Sequence, residues 1–420
     1  MKVLVVNCGS SSLKYSLFDI EPAEADPASG PPGAAGDGAT APGRVLASGI
    51  VERLGQPEPV HRHRAGGEET ARPVSAPDHG AAFDLVLAAL TEGPGAVLPG
   101  PDAVEAVGHR VVHGGERFAG SVRIDAEVIE AVEACADLAP LHNPPNLVGI
   151  RAAMTRIPHA VHVAVFDTAF HQTLEPEAFL YALPYELYRD HGVRRYGFHG
   201  TSHRYVSEVA VRMLGRPAET VNLITAHLGN GCSASAVRGG RCVDTSLGMT
   251  PLEGLVMGTR SGDIDPAIVF HLVRALGMTV DEVDDLLNRR SGLLGLSGVS
   301  NDMREVLRAA EAGDERADLA VRIFCRRLRK YIGAYTAVLG RVDALVFTGG
   351  IGENAAPVRE RTCRGLEPLG YVLDPAANAA PAEGPRDVAA ADSSVRILVI
   401  PTDEEALIAR EAARLAACGA

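Results

Sequence analysis

The chain opens on an apolar run, Val3 to Val6, that stops at Asn7; Cys8-Gly9-Ser10-Ser11-Ser12 follow, and alternation resumes after Lys14 through Tyr15, Leu17 and Phe18. This pattern predicts strand, tight polar turn, strand: a β-hairpin whose turn presents backbone N–H groups and hydroxyls. A similar design recurs at NLITAHLGNGCSASAVRGG, where an apolar strand meets the Gly229-Asn230-Gly231 turn and Ser and Ala then alternate from Ser233 to Val237. Two such hairpins suggest two similar domains, each offering a turn to phosphate, although two ordinary hairpins would leave the same trace.

Further strand-like runs fall at 103–107, 159–166, 221–226, 344–347 and 395–400, and helical periodicity at 81–90, 126–136, 202–214, 266–275, 280–289, 315–339 and 404–418. Strands and helices alternating in this way predict an α/β class with layered sheets. Residues 55–80 read as polar and irregular. Residues 21–43, rich in Pro, Gly and Ala, read as a flexible surface insertion rather than an interdomain linker.

In α/β sheets ligands gather beyond the carboxyl ends of strands. Here Arg110, Asp167, His227, Gly349-Gly350 and Thr402-Asp403-Glu404-Glu405 stand at or after predicted strand ends. One polar residue at such a place is ordinary loop chemistry; five places collecting Arg, Asp, His, Gly-Gly and Glu point to a site. His199 and His203 have the i, i+4 spacing of a metal pair, but no H-E-x-x-H surrounds them. Thr201-Ser202 read as an N-cap, with His199 before the helix and His203 on it, which suits His199 to donating a hydrogen bond to an anion.

Bulk composition narrows the class. A chain of 420 residues with 46% apolar content should form about two domains. Its net charge of −13 argues against a general nucleic-acid binder. Seven cysteines without a C-x-x-C pair indicate a reducing compartment. No run approaches eighteen apolar residues and the apolar opening is too short for a signal segment, so a cytoplasmic protein free of the membrane is expected. The only lysines are Lys2, Lys14 and Lys330, and none follows a glycine, which excludes a G-x-x-x-x-G-K-[ST] phosphate loop.

Taken together and in order, VLVVNCGSSSLKYSLF, GHRVVHGG, APLHNPPN, VAVFDTAFH, RRYGFHGTSHRYV, AHLGNGCSASA, DTSLGMTPLEGLVMGTRSGDIDP, SGVSNDMRE, FTGGIGEN and PTDEE resemble the acetate kinase family, the short-chain carboxylate kinases of the acetate/sugar kinase, Hsp70 and actin superfamily. The resemblance implies two actin-like (ribonuclease H-like) domains related by internal duplication, with a nucleotide cleft between them. Domain I would span 1–168 plus 406–420, and domain II 169–405. It implies reversible, Mg2+-dependent in-line transfer of the ATP γ-phosphoryl group to acetate, giving acetyl phosphate and ADP, with Mn2+ as a substitute ion.

By the same resemblance, Asp167, His199, Arg260 and Arg110 are catalytic. Arg110 also holds acetate, whose methyl meets Val112, Leu141, Phe198 and Pro251. Ser10, Ser12 and Lys14 lie near the phosphates, and His227, Leu228, Gly229, Asn230 and Gly231 cradle them. Asp302, Met303, Arg304, Gly350, Ile351, Gly352, Glu353 and Asn354 form the adenosine pocket. Asn7 and Glu404 hold the magnesium, and His142 is an active-site histidine of lesser weight. TDEE stands where TNEE is common in the family. A homodimer through the second domain is implied; the 315–339 helix could contribute to it or belong to the core. The rival readings are a propionate or butyrate kinase and an actin- or Hsp70-like ATPase switch.

Overall fold

A computed structural model describes residues 1–21, 43–93, 95–139 and 142–418. Of the surface insertion expected at 21–43, residues 22–42 lie outside the described residues. The chain divides into two compact units, Met1–Gln172 with Asp403–Ala420, and Thr173–Thr402.

In the first unit, aliphatic and β-branched residues favour a pleated, buried strand. β1 (Lys2–Cys8) pairs antiparallel with β2 (Ser12–Asp19), Cys8 lying opposite Leu13. The Gly9 amide donates to the Ser12 carbonyl at 2.9 Å and closes the turn. The sheet continues through β3 (Arg44–Glu52), β4 (Val60–Ala65) and β5 (Glu68–Pro73) on one side. On the other lie β6 (Ala106–Val111), β7 (Val122–Arg123) and β8 (Val161–Phe166). The order is β5-β4-β3-β2-β1-β6-β8-β7. β1, β6 and β8 run parallel.

The second unit contains β9 (Asn222–Leu228), β10 (Cys232–Arg238), β11 (Arg241–Thr245), β12 (Ala344–Thr348), β13 (Arg386–Asp387) and β14 (Arg396–Val399), ordered β11-β10-β9-β12-β14-β13. Strand for strand this repeats β3-β2-β1-β6-β8-β7. Two antiparallel pairings come first, then two parallel ones, then an antiparallel edge. The likeness of the two hairpins in sequence is therefore a likeness of whole sheets.

Residues 55–80 are not irregular: β4 and β5 form a hairpin there. The inward positions of β4 carry His61 and His63 rather than aliphatic residues, so the alternation escapes a hydrophobic reading. The Tyr15 hydroxyl lies 3.0 Å from His61 Nε2 and 2.6 Å from His63 Nδ1. Burial, with the neighbouring His63 and Arg72 adding to it, pushes His61 down to about 4, so this ring is neutral at physiological pH.

Helices start and stop as expected at Val280–Arg289, whose Thr279 and Glu282 form a capping box, and at Glu315–Leu339. Glu315–Leu339 buries Val321, Phe324, Leu328, Ile332 and Tyr335 in the core and leaves Leu319 and Val338 exposed. Helix Ala267–Leu276, which packs against Val280–Arg289, has no buried residue. No helix among the described residues is long and apolar enough to cross a membrane.

Candidate active site

In the first unit the expected residues collect at the carboxyl ends of β1, β6 and β8. Arg110, the next-to-last residue of β6, donates Nε to Asp167 Oδ1 at 3.1 Å and Nη2 to Oδ2 at 2.5 Å. Asp167 follows β8 and its side chain is 1% exposed. Such a two-pronged pair fixes the guanidinium plane as well as its charge. Burial alone would pull the Arg110 pKa down, but the charges of Asp167 and Glu404 outweigh it and hold the group above its ordinary value.

The motif LHNPPN supplies the scaffold for these strand ends. Helix Asn143–Arg156 carries prolines in its first turn, where the missing N–H is harmless. Its Asn146 accepts from the Val112 amide at 3.1 Å and donates to the Cys8 carbonyl at 2.8 Å; Asn143 accepts from the His113 amide at 3.1 Å. One buried helix face thereby ties the loop after β6 to the end of β1. Sequence reading singled out His142 in this motif and missed the two asparagines; His142 is the exposed residue that precedes the helix. Val112 is buried beside Arg110, while Leu141 lies outside the described residues.

Asp403 caps helix Glu404–Ala417 by accepting from the Ala406 amide, which explains why an aspartate serves in TDEE. Glu404 Oε1 is buried and has no hydrogen-bond partner among the described residues. Lys14 Nζ pairs with Glu405 Oε1 at 2.5 Å. Asn7 precedes Cys8 at the end of β1, Ser10 stands on the turn and Ser12 opens β2. The thiol of Cys8, the last residue of β1, is pushed up to about 12 by burial and is no nucleophile at neutral pH.

In the second unit, His199 is the N-cap of helix Gly200–Leu214 and holds φ +56°. Thr201 and Ser202 are already helical, so the expected N-cap moves back by two residues, although His199 still precedes the helix and His203 still lies on it. A left-handed backbone at a non-glycine residue costs about 1–3 kcal/mol and collects at functional sites. The His199 and His227 rings stack with centroids 4.3 Å apart.

A Cβ placed on Gly231 would lie 3.4 Å from His199 Nε2 and 3.5 Å from Arg260 Nη2; one on Gly229 would lie 3.8 Å from His227 Nε2. Two imidazoles and a guanidinium thus converge on the 229–231 turn. Arg260 Nη1 donates to the Pro251 carbonyl at 2.7 Å. Among the described residues Arg260 has no carboxylate partner, and burial draws its pKa down from the ordinary value. Asn230 is fixed by its carbonyl, which accepts from the Gly258 amide, and by its side chain, which accepts from Asn301 at 3.0 Å. Leu228 and Phe198 are buried apolar side chains of this unit.

Asp302 caps helix Met303–Glu311 and pairs with Arg304 at 2.5 Å; hydrogen bonds from Arg304 hold its carboxyl at about 2. Met303 is buried. β12 leads into helix Gly349–Asn354, which contains Gly350, Ile351, Gly352, Glu353 and Asn354. Gly349 needs to be glycine for the fold: its φ is +74°, and a Cβ would stand 2.8 Å from the Leu228 carbonyl oxygen. Gly350 does not, since a Cβ there would meet nothing within 4 Å.

Arg359, missed by sequence reading, is buried beneath this helix and donates to the carbonyls of Gly352 and Glu353 at 2.9 Å and to Asn378 Oδ1 at 2.7 Å. Burial brings its pKa down to about 10, still cationic at neutral pH. Arg359→Met should destabilise the protein by about 3 kcal/mol by stranding buried acceptors. The urea midpoint measures the loss, and the nucleotide KM should rise with it.

Residues 2–410 match the model of the acetokinase family. The chain is 54% identical over 417 residues to an acetate kinase of Leifsonia xyli subsp. xyli, covering 99% of each chain. It is 50% identical over 411 residues to an acetate kinase of Clostridium novyi, covering 98% of this chain and 97% of that one. A crystal structure of Porphyromonas gingivalis acetate kinase superimposes with a TM-score of 0.90 at 44% identity over 99% of both chains. A propionate kinase from Francisella tularensis superimposes at 0.87 and 41% identity over 98% of both. With its family model spanning both sheets and relatives of this identity over nearly its whole length, the chain belongs to the acetokinase family.

Proposed function

We propose that the chain is an ATP:acetate phosphotransferase that reversibly moves the γ-phosphoryl group to the acetate carboxylate, giving acetyl phosphate and ADP. Beyond the family, the observation that carries this reading is Arg260, a half-buried guanidinium without a carboxylate partner among the described residues, beside His199 Nε2 at a glycine turn. A cation so placed calls for an anion. Acetate ionises near pH 4 like other carboxyls and needs no general base. The difficulty is bringing one anion to another, and fixed positive groups answer it.

Arg110, oriented by Asp167, would hold the acetate carboxylate, and Val112, Leu141, Phe198 and Pro251 its methyl. His199, His227 and Arg260 would bind the phosphoryl oxygens, with Leu228 and the 229–231 turn along the phosphate chain and Ser10, Ser12 and Lys14 near it. Asp302 to Arg304 and Gly350 to Asn354 would take adenosine. The open space over Gly350, where the fold itself does not require a glycine, supports this assignment.

Asn7 and Glu404 would hold Mg2+, and the partnerless oxygen of Glu404 fits a hard cation. Among the described residues no group of three or more His, Cys, Asp or Glu forms a metal cage, which suits an ion that takes few protein ligands and keeps water and phosphate. When bound, Mg2+ neutralises charge on the phosphate chain, and Mn2+ would substitute. A cytoplasmic location agrees with a chain whose seven cysteines form no C-x-x-C pair.

The propionate kinase among the similar structures makes the three-carbon acid the second reading. An added methylene changes discrimination by about 1–3 kcal/mol. Trapping acyl phosphates as hydroxamates should give kcat/KM for acetate about tenfold or more above propionate. Propionate leading would overturn the substrate assignment.

A homodimer is proposed through the second unit. Helix Ala267–Leu276 leaves Ile268, Phe270 and Leu276 exposed, and Val280 stands just beyond it. A second copy would cover this apolar face. Phe270→Glu should convert a dimer to a monomer in light scattering; an unchanged mass would move the interface elsewhere.

A further inference from the structure

We infer that Thr225, His203 and Ser233 form a proton-ordering relay that keeps His199 in the tautomer carrying its proton on Nε2, and that this makes neutral His199 a hydrogen-bond donor toward phosphoryl oxygen. The inference rests on the phosphoryl role proposed for His199.

The chain of contacts is short and buried. His199 Nδ1 lies 2.9 Å from Ser233 Oγ, Ser233 Oγ 2.7 Å from His203 Nε2, and His203 Nδ1 2.7 Å from Thr225 Oγ1. Thr225, His203 and Ser233 are each fully buried. A serine hydroxyl has one proton, so it can donate to only one of the two imidazoles; the other must donate to it. The protons along the row are therefore ordered in one of two senses.

Thr225 selects the sense. Among the described residues the only side-chain partner of its hydroxyl is His203 Nδ1. A buried hydroxyl proton without an acceptor is costly. Thr225 therefore donates to His203 Nδ1, His203 Nε2–H donates to Ser233 Oγ, and Ser233 O–H donates to His199 Nδ1. The proton of neutral His199 then sits on Nε2, the nitrogen nearest the place a Gly231 Cβ would take, where Arg260 Nη2 also points. In the opposite sense His199 would turn a lone pair toward that place and repel an anion. His203 and Ser233 are thus positioning residues, and Thr225, at the far end of the row, sets their direction.

The test uses the full chain with 15N-labelled histidine. Long-range 1H–15N spectra of the wild type at neutral pH should show His199 as the Nε2–H tautomer, assigned with His199→Gln. Thr225→Val keeps the shape of the side chain but removes the proton that imposes the order; Nδ1–H should then appear in a fraction of His199 rings, and kcat should fall by about twofold with it. Thr225→Ser should restore both. Circular dichroism separates a folding defect from the effect, and Ser233→Ala provides a second break in the row. A wild-type His199 with its proton on Nδ1, a tautomer unmoved by Thr225→Val and Ser233→Ala, or a changed tautomer with kcat unmoved would each overturn the inference. Failure of the phosphoryl reading has a different signature: a wild type with the Nε2–H tautomer that forms no acyl phosphate.

Discussion

Arg260→Ala should lower kcat for acetyl phosphate formation by about 10²–10³, the usual loss when one preorganised donor to a developing charge is removed. Acetate KM should change far less, because Arg260 is assigned to the transferring group rather than to the acceptor. The geometry explains the size. Its Nη1 is tied to the Pro251 carbonyl, so Nη2 is held in place before any ligand arrives and little reorganisation is needed. Arg260→Lys should recover little, since an ammonium cannot keep the Pro251 hydrogen bond and present a second N–H in the same plane. Steady-state kinetics with both substrates varied separates the two constants. A rise confined to acetate KM would reassign Arg260 to the acceptor.

Asp167→Ala should be nearly as damaging, with kcat/KM for acetate down about 10²–10³. Asp167 would touch no substrate in this account; it orients Arg110 through two hydrogen bonds. Without it, Arg110 loses the contact that fixes its plane and remains near Glu404, whose charge already acts on it. Asp167→Asn should fall between, since an amide can accept from one prong but carries no charge. Removing a buried acid from a paired base is also destabilising, by about 3–5 kcal/mol. Thermal unfolding therefore has to accompany the kinetics. A stable, active Asp167→Ala would remove the orienting role.

Much of this arrangement was legible in the sequence. The two glycine hairpins announced two sheets because each opens on an apolar run that is buried almost throughout. The strand ends announced the site because Arg110, Asp167 and His227 interrupt apolar runs. What escaped has physical causes. β4 fills its inward positions with His61 and His63, so a hydrophobic pattern cannot find it. Helix Asn143–Arg156 begins with two prolines that read as breakers, though the first turn tolerates them. Asn143, Asn146 and Arg359 act by hydrogen bonds to carbonyls and amides of other elements, which leave no periodic trace. The left-handed backbone of His199 is a property of the folded turn, and nothing in FHGTSH specifies it beforehand.

Stoichiometry tests the central claim most directly: ADP released and acetohydroxamate trapped, measured in the same Mg2+-ATP reaction with and without acetate. Phosphoryl transfer to acetate should release one ADP for each acetyl group trapped and negligible ADP when acetate is withheld. ADP released at the same rate without acetate, and no hydroxamate with it, would contradict phosphoryl transfer to a carboxylate and leave an ATP-hydrolysing switch in its place.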